Sequence, residues 1–199
     1  MFSLALSSTK SSVFASGGGD KVVVVWTLEN LENPISSTLV GHNDTVDKLS
    51  FNFDGKYLAT AALDGEIIVW DYNSGQKKLT LDGPTQEISV YNKTFLYLID
   101  NCFRIQFLEW HSKGNVIVAG SLDNSVWLWN GNNGAFLNVF QGHVGGVTCG
   151  GFTPDGKHVI SASEDSTLRI WNPKTAECIH NIKGSILINT KRPSLIINI

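Results

Sequence analysis

The sequence lacks the segments that direct a protein into a membrane or the secretory pathway. No apolar run in its 199 residues approaches the roughly 20 that a membrane-spanning helix needs. The first ten residues, MFSLALSSTK, have no basic start and too few apolar residues for a secretory signal. We therefore expect no membrane association and a cytoplasmic location, with the nucleus as a further compartment.

Cysteine is scarce, and the patterns that bind metals or nucleotides are missing. Cys102, Cys149 and Cys178 are odd in number and show no CxxC spacing, which predicts buried free thiols in a reducing compartment. No Cys or His stands at the spacing of metal ligands. The glycines at 17–19 lack the GxGxxG or GK[ST] context of a phosphate loop and are typical of a turn. The sequence predicts neither a metal nor a cofactor.

An excess of positive charge is also absent, since the net charge is −3. Domains that bind nucleic acid are usually basic because they neutralise phosphates, so we expect no direct contact with nucleic acid. Glycine, tryptophan and β-branched residues are plentiful instead, with 19 Gly and 6 Trp. This composition favours strands joined by tight turns.

The stretch from Gly142 to Asn172, GHVGGVTCGGFTPDGKHVISASEDSTLRIWN, shows how these residues are arranged. Apolar residues alternate with others in three runs, and turn-forming residues separate the runs at Pro154–Gly156 and Ser163–Ser166. Alternation with a period of two predicts half-buried strands, and the turns predict hairpins. The unit is therefore a small antiparallel meander.

Four copies of this unit follow one another. In each copy a Trp ends a strand and an Asp stands six positions earlier: Asp20 and Trp26, Asp64 and Trp70, Asp123 and Trp129, Asp165 and Trp171. Fixed offsets of this kind are the mark of a repeat array. The sequence predicts an all-β fold of about four four-stranded antiparallel units, at residues 1–40, 41–82, 83–141 and 142–183.

The third unit is longer than the others. Trp70 and Trp129 are 59 positions apart, against 44 and 42 for the neighbouring spacings. Alignment with the second unit places an insertion at residues 90–106 and puts Ile88 at the position of Val46. Two explanations stay open: an intron left in the transcript and translated in frame, or a surface loop, which repeats tolerate well. The tail at 185–199 has no repeat feature, and we expect it to be disordered.

The Gly-His start of the unit and the Trp at its end resemble the GH…WD signature of WD40 repeats, each of which forms one blade of a β-propeller. Asn172 replaces the usual final Asp. The first unit lacks its Gly-His start, and no fifth unit follows the fourth. We therefore expect an open arc of blades whose two end faces are apolar and uncovered.

The segments LEWHSKGNVIVAGSLDNSVWLWNGNNGAFLNVFQGH and TPDGKHVISASEDSTLRIWNPKTAECIHNIKG resemble the angio-associated migratory cell protein family. That family includes a fungal WD-repeat chaperone for a basic ribosomal protein of the large subunit. The resemblance covers about residues 1–184 without 90–106. It implies a chaperone or escort that captures a basic ribosomal-protein segment on an acidic propeller face.

The resemblance also implies a hydrogen-bonded set of Trp, hydroxyl, His and Asp in well-formed blades. Its members are Trp70, Thr60, His42 and Asp64 in the second unit, and Trp171, Ser161, His143 and Asp165 in the fourth. We expect each Asp to lie within hydrogen-bond reach of its His. A Ser–His–Asp set could also be a catalytic triad. Its repetition in two units argues against that, because a nucleophile needs one exposed site with an oxyanion hole. We predict no enzyme.

Partners of WD40 propellers usually dock on the narrow face, which implies a set of candidate contact residues. These are Thr45, Asp47, Leu63, Leu122, Gly146, Thr148 and Glu164. The sequence therefore predicts a non-catalytic protein-interaction scaffold, with ribosome assembly as the specific role. The alternative is a generic adaptor such as a ubiquitin-ligase substrate receptor. Such receptors often carry a W-D-x-R pattern, and this sequence has none.

Overall fold

The computed structural model describes residues 3–7, 9–10, 12–29, 35–81 and 104–184. Within these residues the secondary structure consists of sixteen strands in four sheets. Each sheet contains four consecutive strands in sequence order, and all neighbours are antiparallel. The predicted all-β fold of four-stranded meanders is therefore confirmed.

Each sheet is one blade, numbered along the chain. Blade one contains β1 (Ser3–Leu6), β2 (Val13–Gly17), β3 (Val22–Thr27) and β4 (Ile35–Val40). Blade two contains β5 (Val46–Phe51), β6 (Tyr57–Ala62), β7 (Ile67–Asp71) and β8 (Gln76–Leu81). Blade three contains β9 (Ile105–Trp110), β10 (Val116–Ser121), β11 (Val126–Asn130) and β12 (Phe136–Phe140). Blade four contains β13 (Val147–Phe152), β14 (Val159–Ser163), β15 (Thr167–Trp171) and β16 (Cys178–Lys183).

The repeated Asp has a local structural role in the turn between the second and third strands. The residue after it has a positive φ in all four blades: Lys21, Gly65, Asn124 and Ser166. The Asp carboxylate accepts a hydrogen bond from the backbone N–H two positions on, at 2.9–3.4 Å. Only Gly adopts this left-handed conformation without cost, so the carboxylate stabilises a strained turn in the other three blades.

The core consists of three layers, each lying between two consecutive blades. We call the face of a blade that carries the repeated Trp its leading face and the opposite face its trailing face. Between blades one and two, for example, Val23 and Leu39 of the trailing face pack with Leu58 and Trp70 of the leading face. Full burial of such a side chain contributes about 1.5–3 kcal/mol. These layers hold the blades together.

The innermost strands set the order of the blades, because β1 packs on β5, β5 on β9, and β9 on β13. Trp70, Trp129 and Trp171 are at most 1% exposed, whereas Trp26 in blade one is half-buried. Blades one and four share no sheet among the described residues. This arrangement agrees with the expected arc.

The start of blade three corrects the predicted limits of the insertion. Ile105 and Gln106 form the beginning of β9, and Ile105 is 1% exposed. Ile105 pairs with Ser121 just as Val46 pairs with Ala62. It therefore occupies the position that the alignment gave to Ile88, and the extra residues all precede it. Residues 82–103 and 185–199 lie outside the described part of the chain, so the other predictions for them stay predictions.

Candidate functional site

In blade four the four side chains form a continuous hydrogen-bonded cluster. The indole Nε1 of Trp171 donates to Ser161 Oγ at 2.8 Å, and Ser161 Oγ lies 2.8 Å from His143 Nε2. His143 Nδ1 lies 3.0 Å from the Asp165 carboxylate. Asp165 also accepts hydrogen bonds from Val144 N and from the backbone and hydroxyl of Thr167. The cluster joins strands β14 and β15, the turn between them and the loop before β13.

The charges in this cluster are fixed by its surroundings. Burial alone would raise the pKa of Asp165, but the hydrogen bonds from Thr167, Val144 and His143 outweigh it and hold that pKa well below its ordinary value. Burial lowers the pKa of His143, although the bond to Asp165 opposes this effect. A neutral imidazole therefore donates through Nδ1 to an ionised carboxylate and accepts the Ser161 hydroxyl proton through Nε2.

Blade two contains a shorter version of the cluster, and here the expectation for Asp64 is wrong. Trp70 Nε1 donates to Thr60 Oγ1 at 2.9 Å, and Thr60 Oγ1 lies 2.6 Å from His42 Nε2. His42 Nδ1 makes no hydrogen bond, and the carboxylate 3.7 Å away belongs to Glu66. Asp64 is exposed. The hydrogen bond observed on its carboxylate comes from the backbone N–H of Glu66, within the turn.

His42 Nδ1 has no hydrogen bond to a carboxylate that would raise the pKa of the imidazole. Burial and the nearby Lys77 ammonium lower the pKa of His42 to about 4. The imidazole is therefore neutral at neutral pH, and its approach to Glu66 is not an ion pair. Glu66 is held instead by Lys77, whose Nζ lies 3.6 Å from its carboxylate.

Blades one and three depart further from the pattern. In blade one Trp26 Nε1 donates to Ser16 Oγ at 3.0 Å. In blade three Ala119 stands at the hydroxyl position and is fully buried. A different series forms there: Trp127 donates to Ser125, and Ser125 donates to Asp123. The sequence analysis did not predict this series, although Asp123, Ser125 and Trp127 stand at every second position in the sequence.

The geometry of these clusters fits a structural role and not a catalytic one. Thr60 and Ser161 are fully buried, so a substrate has no path to either hydroxyl. Each hydroxyl already binds an indole and an imidazole. A nucleophile must instead face its substrate beside oxyanion donors.

Three blades build the region of the candidate contact residues in the same way. Thr45, Arg104 and Gly146 each accept, through the carbonyl oxygen, the backbone N–H of the residue before the turn Asp, at 2.9–3.2 Å. These donors are Leu63, Leu122 and Glu164. All three acceptors stand 25 positions before the Trp of their blade, a spacing that identifies Arg104 as the counterpart of Thr45 and Gly146.

The candidate contact residues differ in how much they expose. Glu164 is exposed, Thr45, Leu63, Leu122 and Thr148 are half-buried, and Gly146 and Asp47 are buried. The Thr148 hydroxyl donates to the Ala162 carbonyl at 3.3 Å. A Cβ at Gly146 would lie 2.6 Å from a methyl carbon of Leu122, so Leu122 lies directly over this glycine.

Asp47 is held in an ion pair that sequence reasoning did not find. Its side chain is 4% exposed, and Oδ2 accepts hydrogen bonds from Arg104 Nε at 3.1 Å and from the guanidinium terminus at 2.7 Å. Lys48 Nζ lies 3.0 Å from the same oxygen. Burial opposes ionisation, but these cations hold the pKa of Asp47 below its ordinary value. Asp47 therefore joins blades two and three and is not a free acidic group on the face.

The structure also bears on the cysteine thiols, on groups of metal ligands and on membrane-spanning helices. Cys149 is half-buried and Cys178 is exposed, so the expectation of buried thiols is wrong for Cys178, while Cys102 lies outside the described residues. Across the described ranges, no three His, Cys, Asp or Glu side chains are grouped as metal ligands. No helix in the same ranges is long and apolar enough to cross a membrane.

The repeated blades and their clusters define a WD40 protein. The WD40 family model, described as "WD domain, G-beta repeat", matches residues 33–71, 98–130 and 134–172, and the chain belongs to this family. The second match begins at residue 98, inside the range that the alignment assigned to the insertion.

Particular relatives are similar along most of the chain. Angio-associated migratory cell protein of Homo sapiens is 28% identical over 185 residues, which are 93% of this chain and 38% of that protein. The "Chromatin assembly factor 1 subunit FAS2 homolog" of Oryza sativa subsp. japonica is 29% identical and covers 80% of this chain and 31% of its own length. The chain thus spans about two fifths or less of the length of these relatives.

Proposed function

We propose that this chain is a non-catalytic protein-interaction scaffold that binds a segment of another protein on its narrow face. WD40 domains typically mediate contacts between proteins. The proposal is supported by a difference between two groups of residues, one buried within the blades and one at the turns. The buried clusters of Thr60 and Ser161 are occupied in joining strands, whereas side chains at the turns before the third strands remain free to meet a partner.

The chemistry of those turns favours a basic partner with apolar side chains. Asp20, Asp64 and Glu164 are exposed, and Leu63 and Leu122 are half-buried among them. Opposite charges steer association, and desolvated apolar side chains supply most of the binding energy at interfaces. Because Asp47 is already neutralised by Arg104, the exposed turn acids and not Asp47 would attract the basic segment.

The specific role that we propose is escort of a basic ribosomal protein during assembly of the large subunit, in the cytoplasm and the nucleus. The similarity to angio-associated migratory cell protein supports this proposal, and so does the net charge of −3. The printed name of the rice relative describes a homologue of a subunit of chromatin assembly factor 1. A scaffold role within a larger assembly is consistent with that name.

A peptide-binding experiment tests this function. Basic N-terminal peptides of large-subunit ribosomal proteins are titrated against the full chain, with sequence-scrambled peptides of equal charge alongside. We expect one peptide to bind more tightly than its scrambled form, with an affinity that falls as salt is raised. Equal binding of every basic peptide would contradict a specific escort role.

Two charge reversals place the binding site. Glu164→Lys changes an exposed acid on the narrow face and should weaken binding of the basic peptide. Glu177→Lys changes an exposed acid before β16, at the other end of blade four, and serves as the matched control. If both variants weaken binding equally, net charge and not the narrow face governs recognition.

A further inference from the structure

The loop that leads into blade four carries an unusually exposed apolar side chain. Val144 follows His143 between β12 and β13, and at 84% it is the most exposed large apolar side chain of the described residues. In blade two the same position is held by Asn43, which is exposed although blades one and three pack on either side of its blade. Exposure here is therefore a property of the loop and does not depend on which blade follows.

The loop that contains Val144 is fixed to the hairpin of β14 and β15 by a row of hydrogen bonds. Asp165 Oδ2 accepts the Val144 amide at 3.0 Å and lies 3.0 Å from His143 Nδ1. The two residues after Val144 accept hydrogen bonds through their carbonyl oxygens, from the Ser163 hydroxyl at 2.7 Å and from the Glu164 amide at 2.9 Å. Four consecutive loop residues are thus held against one hairpin.

The corresponding loop of blade two is held by fewer bonds. The hydrogen bond observed on the Asp64 carboxylate comes from the Glu66 amide and not from the Asn43 amide. Ala62, which pairs with the first residue of β5 just as Ser163 pairs with the first residue of β13, has no hydroxyl to donate. The bond from the residue before the turn Asp is kept. Blade four therefore presents an apolar side chain on a firm loop, whereas blade two presents a polar one on a looser loop.

We propose that Val144 is an anchor for the apolar side chain of the partner segment and that Asp165 is the residue that positions it. This inference rests on the proposed function and places the main contact at blade four. An apolar group on a loop that is already ordered binds with little loss of conformational entropy, and such groups carry much of the energy of an interface. The Asp165 carboxylate is occupied by hydrogen bonds within blade four, so it acts through Val144.

The surroundings of Val144 define the partner further. The exposed Glu164 lies beside the same loop, since a Cβ at Gly145 would be 3.3 Å from the Glu164 Cβ. A carboxylate next to an apolar anchor favours a segment in which an apolar residue stands beside a basic one.

The test compares two matched variants in the titration described above, with the basic peptide that binds the wild-type chain most tightly. Val144→Ser removes the anchor and should weaken binding about tenfold, the size of effect that an anchor residue gives. Ile179→Ser is the control, because Ile179 is 42% exposed and lies at the end of β16 that is distant from the β14–β15 turn. This variant should bind like the wild type. Both side chains are exposed, so both variants should fold, which far-ultraviolet circular dichroism verifies.

Two further measurements test the positioning role of Asp165. Asp165→Ala should weaken peptide binding in the wild-type chain but cause no further loss in the Val144→Ser chain, because it acts through the side chain that is already missing. In the wild-type chain without peptide, hydrogen exchange at the Val144 amide should be slower than at the Asn43 amide. Additive losses of binding, or equally fast exchange of the two amides, would show that Asp165 does not position Val144.

The remaining outcomes separate this inference from the proposed function. If Glu164→Lys weakens binding while Val144→Ser binds like the wild type, the narrow face is the binding site and only the anchor is wrong. If no basic peptide binds more tightly than its scrambled form, the proposed function is wrong and the anchor is overturned with it.

Discussion

At the scale of single residues, the hydrogen-bonded clusters of blades two and four differ in the position of one Asp carboxylate. Asp165 reaches His143 because its carboxylate also receives the Val144 amide, which draws it toward the loop before β13. Asp64 has the same place in the sequence but is exposed, and the hydrogen bond seen on it is the turn bond from Glu66. The same residue type at the same offset therefore has two roles, and only the first one joins strands across the blade.

Replacing each Asp with Ala should show this difference. Asp165→Ala leaves His143 Nδ1 and the Val144 and Thr167 amides without their acceptor, and should lower the free energy of unfolding by about 1–3 kcal/mol. Asp64→Ala loses only the turn bond and should cost clearly less. Urea denaturation at neutral pH measures both values. Equal losses would mean that the bond to the imidazole contributes nothing.

Glu109 makes stability depend on pH. Its carboxylate lies between blades three and four, where a Cβ at Gly151 would otherwise be, and burial raises its pKa to about 7 although the Phe152 amide opposes this. Because the unfolded carboxyl ionises near its ordinary 4.5, the chain loses stability as pH rises from 4.5 to 7. Glu109→Gln removes this loss, so its stability relative to wild type should grow through that window and level off above it.

His42 and His143 act in the opposite direction, since lowered pKa values make the protein less stable as pH falls below about 6.5. The difference between Glu109→Gln and wild type isolates the carboxyl because both chains carry the same imidazoles. Glu177→Gln makes the same substitution on an exposed turn and is the matched control. A constant difference between Glu109→Gln and wild type from pH 4 to 8 would contradict the buried, protonated carboxyl.

At the scale of elements, the close approach of β9 and β13 depends on small residues. A Cβ at Gly150 would lie 2.4 Å from the Ile160 carbonyl oxygen and 2.7 Å from the Phe107 ring. The carbonyl belongs to the neighbouring strand β14 and cannot move independently. Gly150 is thus a point where the aromatic side chain of one blade fits against the backbone of the next.

Gly150→Ala should therefore destabilise the fold by about 1–3 kcal/mol, the usual cost of overpacking a well-packed site. Gly184→Ala is the matched control, because a Cβ there meets no atom within 4 Å. Thermal and urea melts of both variants measure the effect. A Gly150→Ala protein as stable as the Gly184→Ala protein would show that the strands can separate at no cost.

At the scale of the whole molecule, packing between consecutive blades carries the stability, and most of it is apolar. The pair of Arg104 and Asp47 adds a polar connection between blades two and three at the narrow face. Since Asp47 is 4% exposed, removal of its partner leaves a buried charge that Lys48 compensates only in part. The connection is therefore worth more than an exposed ion pair.

Arg104→Ala should lower the free energy of unfolding by about 1–3 kcal/mol, because Asp47 loses charge-assisted hydrogen bonds. Lys56→Ala removes a lysine that is 69% exposed and lies 3.6 Å from Asp54, and should have little effect. Chemical denaturation compares the two. If Arg104→Ala is as stable as Lys56→Ala, the pair at the narrow face does not hold the blades together.

The sequence alone determined the repeat, the class of secondary structure and the positions of the turns. Period-two alternation and turn chemistry act within a few residues, so Asp20, Asp64, Asp123 and Asp165 could be located by counting back from a Trp. Only the tertiary structure decided that Asp165 and not Asp64 meets a His, that blade three begins at Ile105, and that Asp47 pairs with Arg104, 57 positions along the chain. These outcomes depend on which blade packs beside which, and a local pattern carries no information about that neighbour.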